Sequence, residues 1–142
     1  MKNIIYILSD FSEYPKLRYC DLSDNSAEKF YHNILNERFA VAYEGNIILE
    51  VNIDNTAGYT SSFLDEAFGN LVYDFSLEVV KKYLVIVSLQ EPYWLDMLYN
   101  ETYNQWEARR KNNQQPKKTT AHSPWFKLID GKLERKNWIE NV

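Results

Sequence analysis

The spacing of apolar residues along the chain switches between two and three-to-four, and the switches predict the elements. IIYIL (Ile4–Leu8) is short and β-rich, ends in the turn-like SDFSEYP, and predicts a strand. LRYCDL (Leu17–Leu22) predicts a second, edge-type strand. Asn25, three residues before Glu28, predicts an N-cap and capping box opening a helix. The apolar face of that helix is expected to carry Phe30, Ile34 and Val41, with Leu35 and Ala42 beside them and Gly45 as its end. NIILEVNID (Asn46–Asp54) is the clearest strand, with Ile47, Leu49, Val51 and Ile53 on one wholly apolar face. After the loop NTAGYT, Phe63, Ala67, Leu71 and Phe75 form a helical stripe with Leu64, Phe68 and Val72 alongside, wide enough to pack on a sheet.

SLEVVKKYL predicts a further short helix, and YLVIVSL (Tyr83–Leu89) a strand covered on both faces. Pro92 sits at the N-terminus of a helix that closes with Arg109, Arg110 and Lys111, cations suited to the negative end of the helix dipole. NNQQPKKTTAHSP reads as a loop or flexible linker, and Asp130-Gly131 between two alternating runs predicts a β-hairpin reaching Glu140. Alternating strands and helices predict an α/β fold with a mostly parallel or mixed β-sheet packed by helices, followed by a C-terminal helix and β-hairpin extension. The expected division is a core over 1–90 and an extension over 91–142 packed on or near it, a single domain overall. The loop after Asn46–Asp54 falls at a strand's C-terminal end, the edge that carries function in open α/β sheets.

Composition narrows the function classes. The 142 residues are 45% hydrophobic and 25% charged, which excludes a disordered chain. Aromatics make up 15%, more than so small a core encloses, so an aromatic-rich surface suited to protein contacts is expected. The net charge of −4 argues against whole-surface nucleic-acid binding. RRKNNQQPKKTT is basic and lies near Trp106 and Trp125, a pattern that suits single strands, but a solvated linker is the plainer expectation. The single cysteine, Cys20, suits a reducing compartment. Without a signal-peptide pattern or a run approaching ~18 apolar residues, a cytoplasmic protein is expected and no membrane association.

No glycine-rich phosphate loop is present, and no catalytic set is expected. One cysteine and two distant histidines assemble no zinc set by familiar spacing, so neither metal nor cofactor is expected. His32, His122 and Cys20 read as structural or solvated. Asp65 and Glu66, with Asp54, are the secondary candidates: three carboxylates that suit a divalent cation, although the first two sit where acids favour a helix N-terminus.

SSFLDEAFG (Ser61–Gly69), preceded by ILEVNID and followed by YLVIV, resembles the bacterial STAS-like domains of unknown function. The resemblance extends by pattern over Ile4 to Leu89. STAS domains are small α/β modules best known as anti-sigma factor antagonists. The resemblance implies a serine at a helix N-terminus phosphorylated by a partner kinase of the GHKL ATPase type. The corresponding segment in those relatives is Asp-Ser-Ser-Gly, which places the phosphoacceptor on Ser61 and its neighbour on Ser62. Thr60 stands where the Asp is usual and Phe63 where the Gly is usual.

The residues themselves give a parallel reading. Ser62 with Asp65 has the spacing of a capping box, leaving Ser61 outside the helix and available. Thr60, Ser61, Ser62 and Phe63 are therefore the candidate phosphoacceptor or partner-binding residues. A phosphate at Ser61 would favour the positive helix end, and Asp65 and Glu66 would oppose it. The expected function is a non-enzymatic regulatory interaction module, with a protein partner of the GHKL type and room for homo-oligomerisation. Two alternatives stand beside it. One is a subunit of a defence or toxin–antitoxin system binding through its aromatic C-terminal region. The other is a metal-dependent hydrolase or nuclease using Asp54, Asp65 and Glu66.

Overall fold

The computed structural model describes residues 3–139. The predicted hairpin's last residue, Glu140, and the final residues of the extension lie outside that range. Three short parallel strands form one sheet in the order β1 (Asn3–Tyr6), β2 (Leu49–Asn52), β3 (Leu84–Val87). Ile5 pairs with Val51, and Val51 with Ile86, so the inward side chains of all three strands lie in one row. Ile5, Leu49, Val51, Leu84 and Ile86 are buried, whereas Val85 is 43% exposed. YLVIVSL is therefore an edge strand with one covered face, which corrects the expectation of two. The sheet has one apolar face to satisfy, and the helices lie there.

The central helix is α4 (Ser61–Phe75), and its predicted stripe is fully inside: Phe63, Leu64, Ala67, Phe68, Leu71, Val72 and Phe75 are all buried. Ser76 ends it and opens α5 (Leu77–Tyr83). The predicted first strand stops at Tyr6 and gives way to a single helical turn, α1 (Ile7–Asp10). LRYCDL is not a strand. Its backbone carbonyls at Leu17 and Arg18 accept from the N–H groups of Ala27 and Glu28, completing the start of the next helix.

That helix begins one residue later than predicted, with Ser26 as the cap and its hydroxyl accepting from Lys29 N–H at 3.3 Å. It runs as α2 (Ala27–Phe30), a π turn (Tyr31–Leu35) and α3 (Asn36–Glu44), and Gly45 ends it as expected. The π turn inserts an extra residue into the repeat, so the buried face passes to Leu35, Phe39, Ala40 and Ala42. Val41, expected inside, is 57% exposed for this reason.

After β3, Pro92 leads into α6 (Tyr93–Met97), a second π turn (Leu98–Thr102) and α7 (Tyr103–Lys111). The hairpin is β4 (Trp125–Ile129) with β5 (Lys132–Lys136), and Asp130 (φ 51°) and Gly131 (φ 79°) give the two left-handed residues of a type I′ turn. Asn36 holds it to α3: its amide donates to Phe126 O and its carbonyl accepts from Phe126 N–H, at 3.0 and 2.9 Å. The segment 112–124 is a strap rather than a flexible linker. Lys118 reaches inward to Asn70 Oδ1 at 2.7 Å, and Thr119, Thr120 and His122 all bind the carboxylate of Glu28. Among the described residues no helix is long and apolar enough to cross a membrane.

Candidate functional site

Thr60, not Ser62, caps α4. Its Oγ1 accepts from Phe63 N–H at 3.2 Å, from Leu17 N–H at 3.0 Å and from the Ser62 hydroxyl at 3.0 Å. The cap falls on Thr60 because Leu17 supplies a tertiary donor there. Leu17 has a left-handed φ of 67°, which turns its N–H onto the threonine. The Ser62–Asp65 capping box does not form. Thr60→Ala is therefore expected to lower stability by about 1–2 kcal/mol, and Ser62→Ala by less than about 0.5 kcal/mol. Urea denaturation of the two variants separates these outcomes.

Phe63 is also not a surface contact. It is fully buried, with ring centroids 5.8 Å from Tyr59, 5.9 Å from Phe30 and 6.1 Å from Phe11. Ser61 is the remaining candidate. It occupies the first position of α4, is exposed, and its hydroxyl makes no hydrogen bond among the described residues. It lines a cleft of about 190 Å³ with Arg18, Asp65, Glu101, Gln105 and Arg109.

The acidic candidates are committed inside the fold. Asp65 accepts from Arg18 Nη1 at 2.7 Å, from the Thr102 hydroxyl at 2.8 Å and from Trp106 Nε1 at 3.2 Å. Glu66 accepts from the same Arg18 nitrogen at 3.0 Å and from Asn70 Nδ2 at 2.9 Å. Burial pushes the Glu66 carboxyl up from its ordinary range, with Arg18 and Asn70 pulling against it. Asp54 lies elsewhere, at the end of β2. Its two oxygens accept Leu89 N–H at 2.9 and 3.0 Å, and Oδ1 also accepts Gln90 N–H at 3.0 Å. It clasps the C-terminal ends of β2 and β3. Among the described residues the three carboxylates form no cation-ligand group.

Gly69, the last residue of SSFLDEAFG, owes its place to the C-terminal helix. A Cβ built there would lie 2.1 Å from Cε2 of the Trp106 indole. Asp65 and Gly69 are one helical turn apart, so α4 presents an acceptor and a gap to the same tryptophan. The Arg109 guanidinium lies over that indole, 4.5 Å from the ring centroid, and makes no ion pair among the described residues. Among the aromatics of the C-terminal third, Tyr103, Trp106 and Trp125 are buried and Trp138 Nε1 donates to Trp125 O at 2.8 Å, whereas Tyr93 and Tyr99 are exposed.

One constellation was not visible in the sequence. Cys20, Glu28 and His122 converge although they come from the irregular segment before α2, its first turn and the strap. Glu28 is 1% exposed. Burial works to raise its carboxyl, but hydrogen bonds from His122, Thr119 and the Cys20 N–H hold it well below the usual carboxylate range. His32 stacks on His122 with centroids 3.8 Å apart, and burial depresses its imidazole to about 2. The long separations of these residues are why spacing alone gave no ligand set.

No curated protein and no solved structure matches the chain. A family model does match, over residues 26–94, from the Ser26 cap through β2, α4 and β3 to the first turn of α6. β1, α7 and the hairpin lie outside the match. Over residues 26–94 the chain is similar to the family of STAS-like domains of unknown function, DUF4325.

Proposed function

We propose that the chain is a non-enzymatic regulatory interaction module, in which a protein partner docks at the cleft around Ser61 and phosphorylation of that hydroxyl switches the contact. The observation that carries this reading is the division of labour within Thr60–Ser61–Ser62. Thr60 and Ser62 are bonded to each other at the cap, while Ser61 is exposed with its hydroxyl free. The cleft beside it holds two guanidinium groups, Arg18 and Arg109. A phosphate on Ser61 adds roughly −1.5 to −2 charges at the positive end of α4, within the same cleft as those cations. Arg18 is already paired with Asp65 at 2.7 Å and Glu66 at 3.0 Å, so Arg109, without an ion pair among the described residues, is the cation left to receive the phosphate.

The partner expected from the STAS resemblance is a GHKL-type ATPase acting as kinase. The test is the affinity of purified wild-type protein and Ser61→Asp for the GHKL-type ATPases of the source cell, by calorimetry. Binding by the wild type that drops at least tenfold in Ser61→Asp, with Ser62→Ala unchanged, supports the reading. Binding indifferent to Ser61→Asp contradicts the switch. A hydrolase using Asp54, Asp65 and Glu66 has no support in the geometry, since each carboxylate is taken up by internal donors.

A further inference from the structure

The Cys20 Sγ, a Glu28 carboxylate oxygen and a ring nitrogen of His122 lie within 4.8 Å of one another. We propose that these three side chains bind a divalent transition-metal ion of the zinc type, an inference independent of the Ser61 reading. Thiolate, imidazole and carboxylate are the three donor types that zinc accepts together, whereas calcium or magnesium would take oxygen alone.

Two observations set this cluster apart from a hydrogen-bonded latch. Among the described residues the sulfur has one hydrogen bond, a long one from the Ser26 hydroxyl at 3.7 Å. His32, stacked face to face on His122 at an interplanar angle of 11°, has both ring nitrogens buried without a hydrogen-bond partner among the described residues. The sulfur thus sits beside the carboxylate with its coordinating capacity unspent, and a second buried imidazole with unpaired nitrogens packs on His122.

The outer hydrogen bonds that a ligating carboxylate needs are already present. Oε1 of Glu28 accepts Cys20 N–H at 2.9 Å and the Thr119 hydroxyl at 2.6 Å, and Oε2 accepts Thr119 N–H at 2.9 Å. The ion enters where His122 Nε2 now meets Glu28 Oε2 at 2.5 Å. Ligation requires the Cys20 sulfur as thiolate and the proton between Nε2 and Oε2 to leave that position, either to Nδ1 of the same ring or to solvent. The bound ion ties the irregular segment before α2, the first turn of α2 and the strap at one point.

Cobalt(II) is the probe, because a cobalt–thiolate bond gives a near-ultraviolet charge-transfer band and Cys20 is the single cysteine. The full-length protein, stripped with a chelator and dialysed, is titrated with cobalt(II) and then with zinc(II). The expected result is a charge-transfer band saturating at one equivalent, abolished by zinc and absent in Cys20→Ser. His122→Gln and Glu28→Gln should each weaken cobalt binding about tenfold or more, since even outer partners of metal ligands cost 10–100-fold. No band in the wild type, or a band of equal affinity in His122→Gln and Glu28→Gln, overturns the site. The wild-type titration decides even where a variant fails to fold.

Discussion

Trp106→Ala is expected to cost about 3–5 kcal/mol of stability, seen as a lower urea midpoint with a near-constant slope. The indole is 1% exposed, fills the gap over Gly69 and donates to Asp65, so its removal leaves both a cavity and a lost hydrogen bond. Gly69→Ala tests the same contact from the other side. Helix propensity favours alanine over glycine by about 1 kcal/mol. A Cβ 2.1 Å from a buried ring outweighs that gain, because overpacking of a fixed core costs about 1–3 kcal/mol or more. Gly69→Ala should therefore be net destabilising in the wild type. Combined with Trp106→Ala, it should turn neutral or stabilising, because the clash is gone and the propensity remains. A Gly69→Ala protein as stable as the wild type would show that the tryptophan does not seat on this glycine.

Phe63→Ala carries the second large effect, again about 3–5 kcal/mol. The position in SSFLDEAFG suggests a surface residue facing a partner, and its loss would then leave the fold intact. In the fold it is the hub of a ring cluster with Phe11, Phe30 and Tyr59. Thermal denaturation distinguishes the two cases. A wild-type midpoint with altered binding would return Phe63 to the surface; a large drop keeps it in the core.

These two variants also show which parts of the sequence were readable. The α4 stripe and the Asp130-Gly131 turn were legible because periodicity and backbone preference act locally, and nothing distant competes with them. Val41 was misplaced because a π turn over Tyr31–Leu35 shifts the helical phase, and no residue type announces it. The cap moved from Ser62 to Thr60 because Leu17, far away in sequence, brings a donor to the threonine. Asp65 and Glu66 read as acids favoured near a helix N-terminus, but Arg18 joins them from the segment that predicts a strand. Gly69 gave no hint of its reason, since the side chain that requires it lies in α7. The same holds for Cys20, Glu28 and His122, which only the closing of the strap brings together. In each case a long-range contact overrode a local preference that was real.

Once those contacts are drawn, most of SSFLDEAFG faces inward. Phe63, Leu64, Glu66, Ala67, Phe68 and Gly69 are buried, and Asp65 is held by three donors. Ser61 stays exposed and, among the described residues, unbonded, and the proposed switch rests on that hydroxyl. The most direct measurement is residue-resolved phosphate mapping by tandem mass spectrometry. The protein is first incubated with magnesium-ATP and the GHKL-type ATPases of its source cell, alongside Ser61→Ala. Phosphate on Ser61, absent from Thr60 and Ser62 and lost in Ser61→Ala, is the predicted result. Phosphate on Thr60 or Ser62 instead, or no phosphate anywhere on the protein, would contradict it.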